Sequence, residues 1–474
     1  MKDFLVNQSK ENNISFHMPG HKGSGIYQKY GYLDFLERMM DCDITEIPGA
    51  DNLHQPEGII KEIEDRYKRL YGVKRSHILV NGTSCGIVAS ILATVKRGGK
   101  LLMSRGCHRS VYSGISLGNI IPCYIQPETT KEGIMGVLDH KKVAMALDEN
   151  PEAEAVILPS PNYYGICSDI EKIAEEVHKR GKILIVDQAH GAHLHLFEKF
   201  CGMGVLPRGA EDLGADIVID STHKTLATFT QTAILNVVSD RVDNFKLESY
   251  LHMVQSTSPS YLLMASHDIN SKIIEEHGKE IFGQWMEDLK WFYNRAKSFE
   301  GLITIWEGLD FTKINIDASK IGWTGGQMED YLMKNKIVPE MVTENIVVAM
   351  SGIGSVRQDY EKLVQVLENA VAEAVGLITV DSISKCQGEK PREASEKYPE
   401  TKVVNHGDKV IEKKLVECQG YASGDLLIPY PPGIPVLCPG EEITQEIINY
   451  IEKITGENRQ VLGLSEDGMI HVYQ

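Results

Sequence analysis

The sequence lacks the features that would place it in a membrane, secreted or metal-stabilised class. It has no apolar run of about 18 residues, the length of a membrane-spanning helix, and residues 1–8 contain no apolar core typical of a signal peptide. Its nine cysteines include no C-x-x-C pair, which argues against a zinc ribbon or a disulfide framework. We therefore expect a cytoplasmic protein with reduced thiols and no resident metal.

Nucleotide-binding patterns are also missing. The chain contains neither G-x-G-x-x-G nor G-x-x-x-x-G-K-[ST], so binding of a dinucleotide or a nucleoside triphosphate is not supported. A net charge of −17 disfavours nucleic acids and anionic membranes as partners. With 474 residues and 42% hydrophobic content, the chain has the composition of a globular protein of several units, at roughly 150 residues a unit.

What the chain does contain is an apolar strand pattern that leads into a lysine. Residues 216–226 have the sequence Asp-Ile-Val-Ile-Asp-Ser-Thr-His-Lys-Thr-Leu, in which Ser221, His223 and Lys224 follow the strand. A lysine just after a buried strand is poorly solvated. This lowers its pKa toward the range where the neutral amine attacks a carbonyl group.

Two further elements fit the same chemistry. The strand pattern of residues 182–187 ends on the carboxylate Asp187. A strand-end lysine and a strand-end acid suit pyridoxal phosphate, because the lysine forms the Schiff base and the acid keeps the pyridine nitrogen protonated. Residues 77–86 form a strand, the turn Asn81-Gly82-Thr83-Ser84 and the start of a helical run. Free N–H groups at such a turn, with the two hydroxyls, predict a phosphate site.

A serine-acylase interpretation competes with this one. Residues 221–224 fit the pattern S-x-x-K, whose lysine activates the serine. That interpretation requires S-D-N and K-T-G elements, and neither tripeptide occurs in the chain. We therefore favour the cofactor interpretation.

Four motifs resemble the Orn/Lys/Arg decarboxylase family and occur in the family's order. They are His17-Met18-Pro19-Gly20-His21-Lys22-Gly23, Asp187-Gln188-Ala189-His190-Gly191-Ala192-His193, Ser221-Thr222-His223-Lys224-Thr225-Leu226 and Pro429-Tyr430-Pro431-Pro432-Gly433-Ile434-Pro435. The resemblance extends from about residue 14 to residue 445 and is to the short bacterial branch without an N-terminal wing domain. It implies an α/β fold of the fold-type I, aminotransferase-like class, a homodimer or a higher assembly of dimers, and decarboxylation of a basic L-amino acid in polyamine-type metabolism.

The resemblance also implies roles for individual residues. Catalytic roles go to Lys224, His223 and Asp187, with the proton returned to Cα by His223 or Lys224. The cofactor-binding residues would be Gly82, Thr83, Ser84, His108, Asp187, Ala189, His190, Ser221, His223 and Lys224. The substrate-binding candidates are His17, His21, Asp43, Glu46 and Asp425, with Asp51 and Glu441 as further carboxylates for a cationic side chain.

The chain departs from the family at two places. Where the family has Gly-Arg-Ile-x-x-Glu, this chain has Gly420-Tyr421-Ala422-Ser423-Gly424-Asp425, and Gln188 replaces a Glu or Ser. The shorter carboxylate of Asp425 leaves about one methylene more room. That room suits a longer cation such as arginine over ornithine. Because relatives of the short branch are often of the arginine type, we expect arginine as the substrate before lysine or ornithine.

The histidines also have interpretations other than cofactor binding. A histidine after a strand, such as His108, is usually a turn or capping residue, and only the family position makes it a ring that stacks on the cofactor. His193 and His195 are two residues apart, so on a strand they would share a face and could converge on one metal ion. Because Asp187 is assigned to the pyridine nitrogen, we favour no metal there.

Alternating helix and strand patterns predict the organisation of the chain. Apolar strands at 78–80, 101–103, 155–158, 183–186, 217–219 and 233–238 predict a mostly parallel sheet with ligands beyond the carboxyl ends of its strands. The expected segments are 1–50 at the dimer and active site, 51–270 as the cofactor-binding large domain, 271–380 as a linking helix and small domain, and 381–474 as a C-terminal decarboxylase domain. A helix over 271–300, strands at 312–316 and 346–350, a helix over 360–375 and a polar linker over 387–410 complete the prediction.

Two other function classes are considered. Another fold-type I enzyme, such as an aminotransferase, needs an arginine in the small domain for the α-carboxylate that it retains. Arg357 is the only arginine between residues 301 and 380, so its position decides this alternative. A non-catalytic binding protein is disfavoured because Lys224, Asp187 and the Thr83-Ser84 turn are intact.

Overall fold

The computed structural model describes residues 1–299, 301–381, 403–404, 407, 409–430, 434–456 and 460–474. The first 50 residues, for which the sequence shows little periodicity, form short elements. These are α1 (Lys2–Lys10), β1 (Ile14–Phe16), α2 (Gly25–Lys29) and α3 (Leu33–Glu37). Among the described residues, no helix combines the length and apolar character needed to cross a bilayer.

A seven-stranded sheet is the centre of the large unit, which spans residues 59–296. Its strands are β2 (Arg75–Leu79), β3 (Lys100–Ser104), β4 (Ile121–Ile125), β5 (Ala153–Pro159), β6 (Ile183–Asp187), β7 (Ile217–Asp220) and β8 (Ala233–Val237). Their spatial order is β2-β8-β7-β6-β5-β3-β4, and β8 alone runs in the direction opposite to the other six strands. The mostly parallel sheet is therefore confirmed.

Helices cover both faces of this sheet. They are α4 (Ile59–Tyr71), α5 (Gly82–Thr94), α6 (Arg109–Gly118), α7 (His140–Glu149), α8 (Ile170–Lys179), α9 (Leu194–Cys201), α10 (Thr222–Thr225), α11 (Asn244–Val254) and α12 (Tyr261–Ala296). In α4 the buried side chains follow helical spacing, among them Ile60, Ile63 and Tyr67, and the helix ends at Gly72 in the left-handed conformation (φ 65°).

The linking helix begins earlier than the sequence predicts. We expected it from residue 271, whereas α12 begins at Tyr261, directly after Ser260. The Ser260 hydroxyl accepts a hydrogen bond from the Leu263 N–H at 3.4 Å, which makes this serine the N-cap. The apolar pattern alone did not reveal that signal.

A smaller α/β unit, residues 303–381, packs against α12. It contains β9 (Ile303–Thr304), β10 (Lys313–Asp317), α13 (Gly325–Lys334), β11 (Ile337–Pro339), β12 (Met341–Val342), β13 (Ile346–Met350) and α14 (Arg357–Asp381). Its antiparallel sheet has the order β12-β13-β10-β9. Strand β1 pairs in parallel with β11, so the N-terminal segment is attached to this small unit.

The C-terminal unit, which we define as the described residues from 403 to 474, has its own core. It contains β14 (Val410–Lys414), β15 (Ala422–Ser423), β16 (Ile428–Tyr430), α15 (Gln445–Gly456), β17 (Gln460–Leu462) and β18 (Met469–Tyr473). Most of the predicted linker 387–410 and residues 431–433 of the proline-rich motif lie outside the described residues. The predicted domain boundaries stay a prediction.

Candidate active site

Lys224 lies on the short helix α10, just beyond the carboxyl end of β7. Its Nζ is 2.9 Å from Nε2 of His190. Burial lowers the pKa of the Lys224 ammonium, while the charges of Asp187 and Glu340 oppose that shift. Burial also lowers the pKa of His190 well below its usual range, so the neutral ring accepts a hydrogen bond from the lysine.

Asp187 is the last residue of β6, the strand that neighbours β7. Its side chain is only 5% exposed, and Oδ1 accepts a hydrogen bond from the Ala189 N–H at 3.2 Å. Burial raises the pKa of the Asp187 carboxyl, and the positive charge of Lys224 opposes this. The two parallel strands thus bring the predicted acid and the predicted lysine to one edge of the sheet.

A small cleft contains these groups. Its lining residues are Thr83, Gly106, His108, Pro159, Pro161, Asn162, Tyr163, Asp187, Ala189, His190 and Lys224. The ring of Tyr163 meets the His190 ring edge-on at a centroid distance of 5.1 Å. Inside the protein, Nδ1 of His190 is buried without a hydrogen-bond partner among the described residues.

The start of α5 forms another wall of this cleft. Gly82 has a φ of +73°, and its N–H donates to the Gln231 carbonyl at 2.8 Å. No side chain of the described residues caps the first turn of α5, so the N–H groups that follow Gly82 in that turn are available to an anion. Thr83 lines the cleft, and Ser84 follows it on the same turn, exposed to solvent.

Ser221 and His223 lie immediately before Lys224. The Ser221 hydroxyl is 3.1 Å from Nδ1 of His223, and this nitrogen donates to the Thr232 carbonyl at 2.7 Å. Burial lowers the pKa of His223 to about 4, and the Lys224 charge contributes to that shift. His223 is therefore a neutral ring with its proton on Nδ1.

His108 both caps a helix and lines the cleft. Its Nδ1 accepts hydrogen bonds from the Ser110 hydroxyl at 2.8 Å and from the Ser110 N–H at 3.3 Å, at the start of α6. Burial, together with the charges of Lys224 and Arg109, lowers its pKa to about 4. The structural interpretation and the cofactor interpretation of this histidine are thus compatible.

The segment His17–Gly23 packs directly on the lysine loop. The Gly20 N–H donates to the His223 carbonyl at 2.7 Å, and the Gly20 carbonyl accepts from the Gly354 N–H at 3.0 Å. A Cβ atom at Gly20 would lie 2.5 Å from the Thr225 carbonyl carbon, so no larger residue fits. His21 meets the rings of Tyr27 and Phe229 edge-on. His17 is half-buried, with Nδ1 against the Met18 carbonyl.

Two charged residues near the site were missed from the sequence. Lys22 donates to the carbonyls of His17 and Met350, the latter at 3.0 Å, and burial lowers its pKa to about 7. Glu340 accepts from the Met18 N–H at 2.7 Å. The positions of Lys22 and Glu340 depend on contacts between the N-terminal segment and strands β11–β13. No local sequence pattern predicts these contacts.

The five carboxylates proposed to bind the substrate differ in exposure and in hydrogen bonding. Asp43 and Glu46 are exposed. Asp51 accepts hydrogen bonds from four backbone N–H groups around the start of α4, so it holds that helix end. Asp425 accepts from the His471 N–H at 2.6 Å, and Glu441 is fully buried beside Arg105. The substrate roles of all five carboxylates stay predictions.

The metal and aminotransferase alternatives receive no support from the geometry. His193 precedes helix α9 rather than lying on a strand, and it contacts Asp310 at 3.1 Å, whereas His195 contacts Asp212 at 2.7 Å. The strand on which the metal interpretation depended is therefore wrong, and within the described ranges no group of three metal-ligating side chains forms. Arg357 pairs with Asp288 at 2.6 Å on α12, and it is not among the described residues that line the cleft.

Comparison with known proteins agrees with the motifs. The family model "Orn/Lys/Arg decarboxylase, major domain" matches residues 1–307, and "Orn/Lys/Arg decarboxylase, C-terminal domain" matches residues 389–469. The chain is 32% identical to the uncharacterized protein YaaO of Bacillus subtilis (strain 168), covering 97% of this chain and 95% of the relative. It is 29% identical to an arginine decarboxylase of the same organism, covering 99% and 96%.

A solved structure shows the same fold. The lysine decarboxylase LdcF of Francisella novicida superposes with a TM-score of 0.74 at 21% sequence identity, covering 99% of this chain and 80% of that one. At this level of identity the likeness concerns the fold.

Proposed function

Because the chain belongs to the Orn/Lys/Arg decarboxylase family, we propose that it is a pyridoxal phosphate-dependent carboxy-lyase that converts a basic L-amino acid into its amine and CO₂. The observation that supports this most directly is one buried cleft that holds the Lys224 amine, the neutral His190 ring and the Asp187 carboxylate. Polyamine-type metabolism, a homodimer and a cytoplasmic location belong to the same proposal.

The residues of the cleft fit the cofactor. Lys224 is the amine that would hold it, and Asp187 is a buried carboxylate that would keep a proton on the pyridine nitrogen. The uncapped start of α5, with Thr83 and Ser84, suits a phosphate group, and Ser221 and His223 are adjacent. His108 and His190 are the flat rings beside it. When bound, pyridoxal phosphate supplies the electron sink for the electron pair that the departing carboxylate leaves behind.

The protonation states distinguish the two candidates for the final proton transfer. His223 has a pKa lowered to about 4, and the proton on its Nδ1 is held by the Thr232 carbonyl, so this proton is not directed at the cleft. Burial lowers the pKa of the Lys224 ammonium, which makes it the better acid near neutrality. We therefore assign the return of the proton at Cα to Lys224.

The substrate is proposed from charge and relationship. A cationic side chain requires carboxylates, and the charge of Glu340 already acts on Lys224. Asp43 and Glu46 are exposed on the N-terminal segment and are available to a second subunit. Arginine is favoured over lysine and ornithine because several relatives of matching length with a stated activity are arginine decarboxylases.

The decisive experiment combines labelling and turnover. The purified protein is supplied with pyridoxal phosphate, reduced with borohydride and mapped by mass spectrometry, and CO₂ release is measured with arginine, lysine and ornithine. We expect the label on Lys224, release of CO₂ with arginine above the other two, and neither signal in Lys224→Ala. Label on another lysine, or keto-acid formation without CO₂, would favour a different reaction class.

A further inference from the structure

Arg105 is a buried arginine that joins the large unit to the C-terminal unit. It follows β3 and is 2% exposed. Its Nη1 donates to the Pro435 carbonyl at 2.7 Å, and its Nη2 lies 3.5 Å from Oε2 of Glu441. Glu441 is completely buried and also accepts a hydrogen bond from the Cys438 N–H at 2.7 Å.

The same guanidinium is fixed within the large unit. Nη1 donates to the Tyr112 hydroxyl on α6 at 2.5 Å. The guanidinium carbon lies 5.7 Å from the centre of the Tyr112 ring and 5.1 Å from that of Tyr124 on β4, within the range of a cation–π interaction. The Arg105 side chain therefore contacts α6, β4 and the C-terminal unit at the same time.

Arg105 is three residues before His108 in the chain. Gly106 and His108 both line the cleft that contains Lys224, and Cys107 between them is completely buried. The Arg105 N–H donates to the Ile125 carbonyl at 2.9 Å, and the Cys107 N–H donates to the Ser104 carbonyl at 3.1 Å. With so short a path held by backbone hydrogen bonds, a shift of Arg105 moves the His108 ring.

The charge balance of Arg105 depends on the C-terminal unit. A guanidinium buried to this extent needs a buried counter-charge and acceptors for its N–H groups. Without them its burial is unfavourable, and the side chain moves toward solvent. Glu441 and the Pro435 carbonyl supply these, and both belong to the C-terminal unit. If the C-terminal unit is not in place, the Arg105 guanidinium has neither the counter-charge of Glu441 nor the Pro435 carbonyl. Arg105 and residues 106–108 are then no longer held in the observed position.

We propose that Arg105 is a positioning residue that couples docking of the C-terminal unit to the placement of His108, and that the C-terminal unit thereby controls cofactor affinity. This inference rests on the proposed function, because it assumes that the cleft binds pyridoxal phosphate. It assigns the C-terminal unit a role in holding the cofactor although the cleft residues themselves come from the large unit.

The test compares three variants at the contact with one control. Arg105→Met removes the guanidinium, Arg105→Lys keeps the charge without the planar fork, and Glu441→Gln removes the partner charge. Ile454→Ala serves as the control, because Ile454 is completely buried in the separate core of the C-terminal unit and its loss leaves Arg105, Pro435 and Glu441 intact.

Two quantities are measured for each protein. The first is the dissociation constant for pyridoxal phosphate, by titration of the cofactor-free protein. The second is hydrogen exchange of residues 104–110 without cofactor. We expect the dissociation constant to rise at least tenfold in Arg105→Met and less in Arg105→Lys and Glu441→Gln, with faster exchange of residues 104–110 in all three. The Ile454→Ala control should stay within about twofold of wild type in both.

The outcomes separate this inference from the proposed function. If wild type does not bind pyridoxal phosphate, the proposed function is wrong. If wild type binds it and folded Arg105→Met binds equally well, or Ile454→Ala weakens binding as strongly without faster exchange of residues 104–110, the coupling is refuted. Should Arg105→Met fail to fold, Glu441→Gln decides the question by the same two measurements.

Discussion

Asp187 shows how one residue's environment determines its use. The fold keeps this carboxylate 5% exposed and gives it a single backbone N–H donor, that of Ala189. In Asp187→Ala we expect pyridoxal phosphate still to bind through Lys224 and the phosphate site, because those groups remain. Turnover should fall by about 10³-fold or more, equivalent to about 4 kcal/mol of transition-state stabilisation.

Spectroscopic titration of the cofactor and steady-state kinetics measure the two halves of this prediction. A variant that binds the cofactor and keeps nearly wild-type kcat would show that another acid protonates the pyridine nitrogen. Loss of binding together with turnover would indicate that Asp187 is needed for affinity rather than for chemistry.

Lys313 is a second residue whose burial predicts a large effect. Its Nζ donates to Oδ2 of Asp310 at 2.9 Å and to the His190 carbonyl at 2.8 Å, and both charged side chains are completely buried. Lys313→Met leaves Asp310 buried without its partner charge, so we expect a loss of about 3–5 kcal/mol in the free energy of unfolding. Urea denaturation measures it.

The exposed pair Lys172–Asp169 supplies the matched control. Its side chains are 58% and 44% exposed, so Lys172→Met should cost less than about 1 kcal/mol. Equal losses in Lys313→Met and Lys172→Met would contradict the prediction, since burial would then make no difference to the value of an ion pair.

At the scale of elements, α9 supplies the cations that close the end of α4. The Leu70 carbonyl in the last turn of α4 lies 3.1 Å from Nε2 of His195 and accepts from the Lys199 ammonium at 2.6 Å. The other ring nitrogen of His195 is 2.7 Å from Asp212. Burial would lower the pKa of His195, but Asp212 and Glu211 raise it overall.

This pKa shift predicts a pH-dependent contribution to stability. A histidine whose pKa is raised on folding stabilises the protein fully below its unfolded pKa of about 6.5 and loses that contribution as pH rises through the folded value. We expect His195→Asn to lower the free energy of unfolding by about 1–2 kcal/mol near pH 5.5 and by less near pH 9. Urea denaturation of both proteins across this range measures the difference. A constant difference, or one that grows with pH, would contradict it.

The secondary-structure elements show how much of the fold the sequence patterns predicted. All six predicted strands of the large sheet are present, with ends within three residues of the prediction. The missed strand, β4, contains Pro122 and has only one buried residue, so it lies at the sheet edge and lacks the apolar run of a central strand. His193 was misplaced because a polar turn with alternating histidines resembles strand alternation.

The candidate site was predictable where its residues follow strands and unpredictable where distant segments meet. Lys224, Asp187 and the turn at Gly82 each follow an apolar run. In contrast, Lys22 meets Met350 across 328 positions, and Arg105 meets Glu441 across 336. Periodicity describes neighbours along the chain, so it has no information on these contacts.

At the scale of the whole molecule, the N-terminal segment exposes apolar side chains. Met40 is 83% exposed and Ile47 is 52% exposed, near the exposed candidates Asp43 and Glu46. We predict that a second subunit covers this segment and that the protein sediments as a dimer or a larger assembly of dimers. Met40→Asp and Ile47→Asp should weaken the assembly, because a buried charge without a partner is costly.

Sedimentation velocity over a range of concentrations measures the assembly state. Met145 is 63% exposed on α7, outside the N-terminal segment, and Met145→Asp is the matched control that should leave sedimentation unchanged. A wild-type monomer at high concentration, or dissociation by the control alone, would show that the contact surface lies elsewhere.

The packing of Gly20 against the lysine loop and Gly354 has a consequence for biosynthesis. The segment that contains Gly20 leaves the ribosome before the small unit, and the Met350 carbonyl that holds Lys22 emerges 328 residues after it. At about 5–20 residues per second, this delay lasts roughly 15–65 seconds. During that interval the seven-stranded sheet can assemble, while the N-terminal segment lacks the part of its binding surface that the small unit supplies. The segment His17–Gly23 therefore reaches its observed position against both units only after the small unit has been synthesised, so a truncated nascent chain has the lysine cleft without this segment fixed beside it.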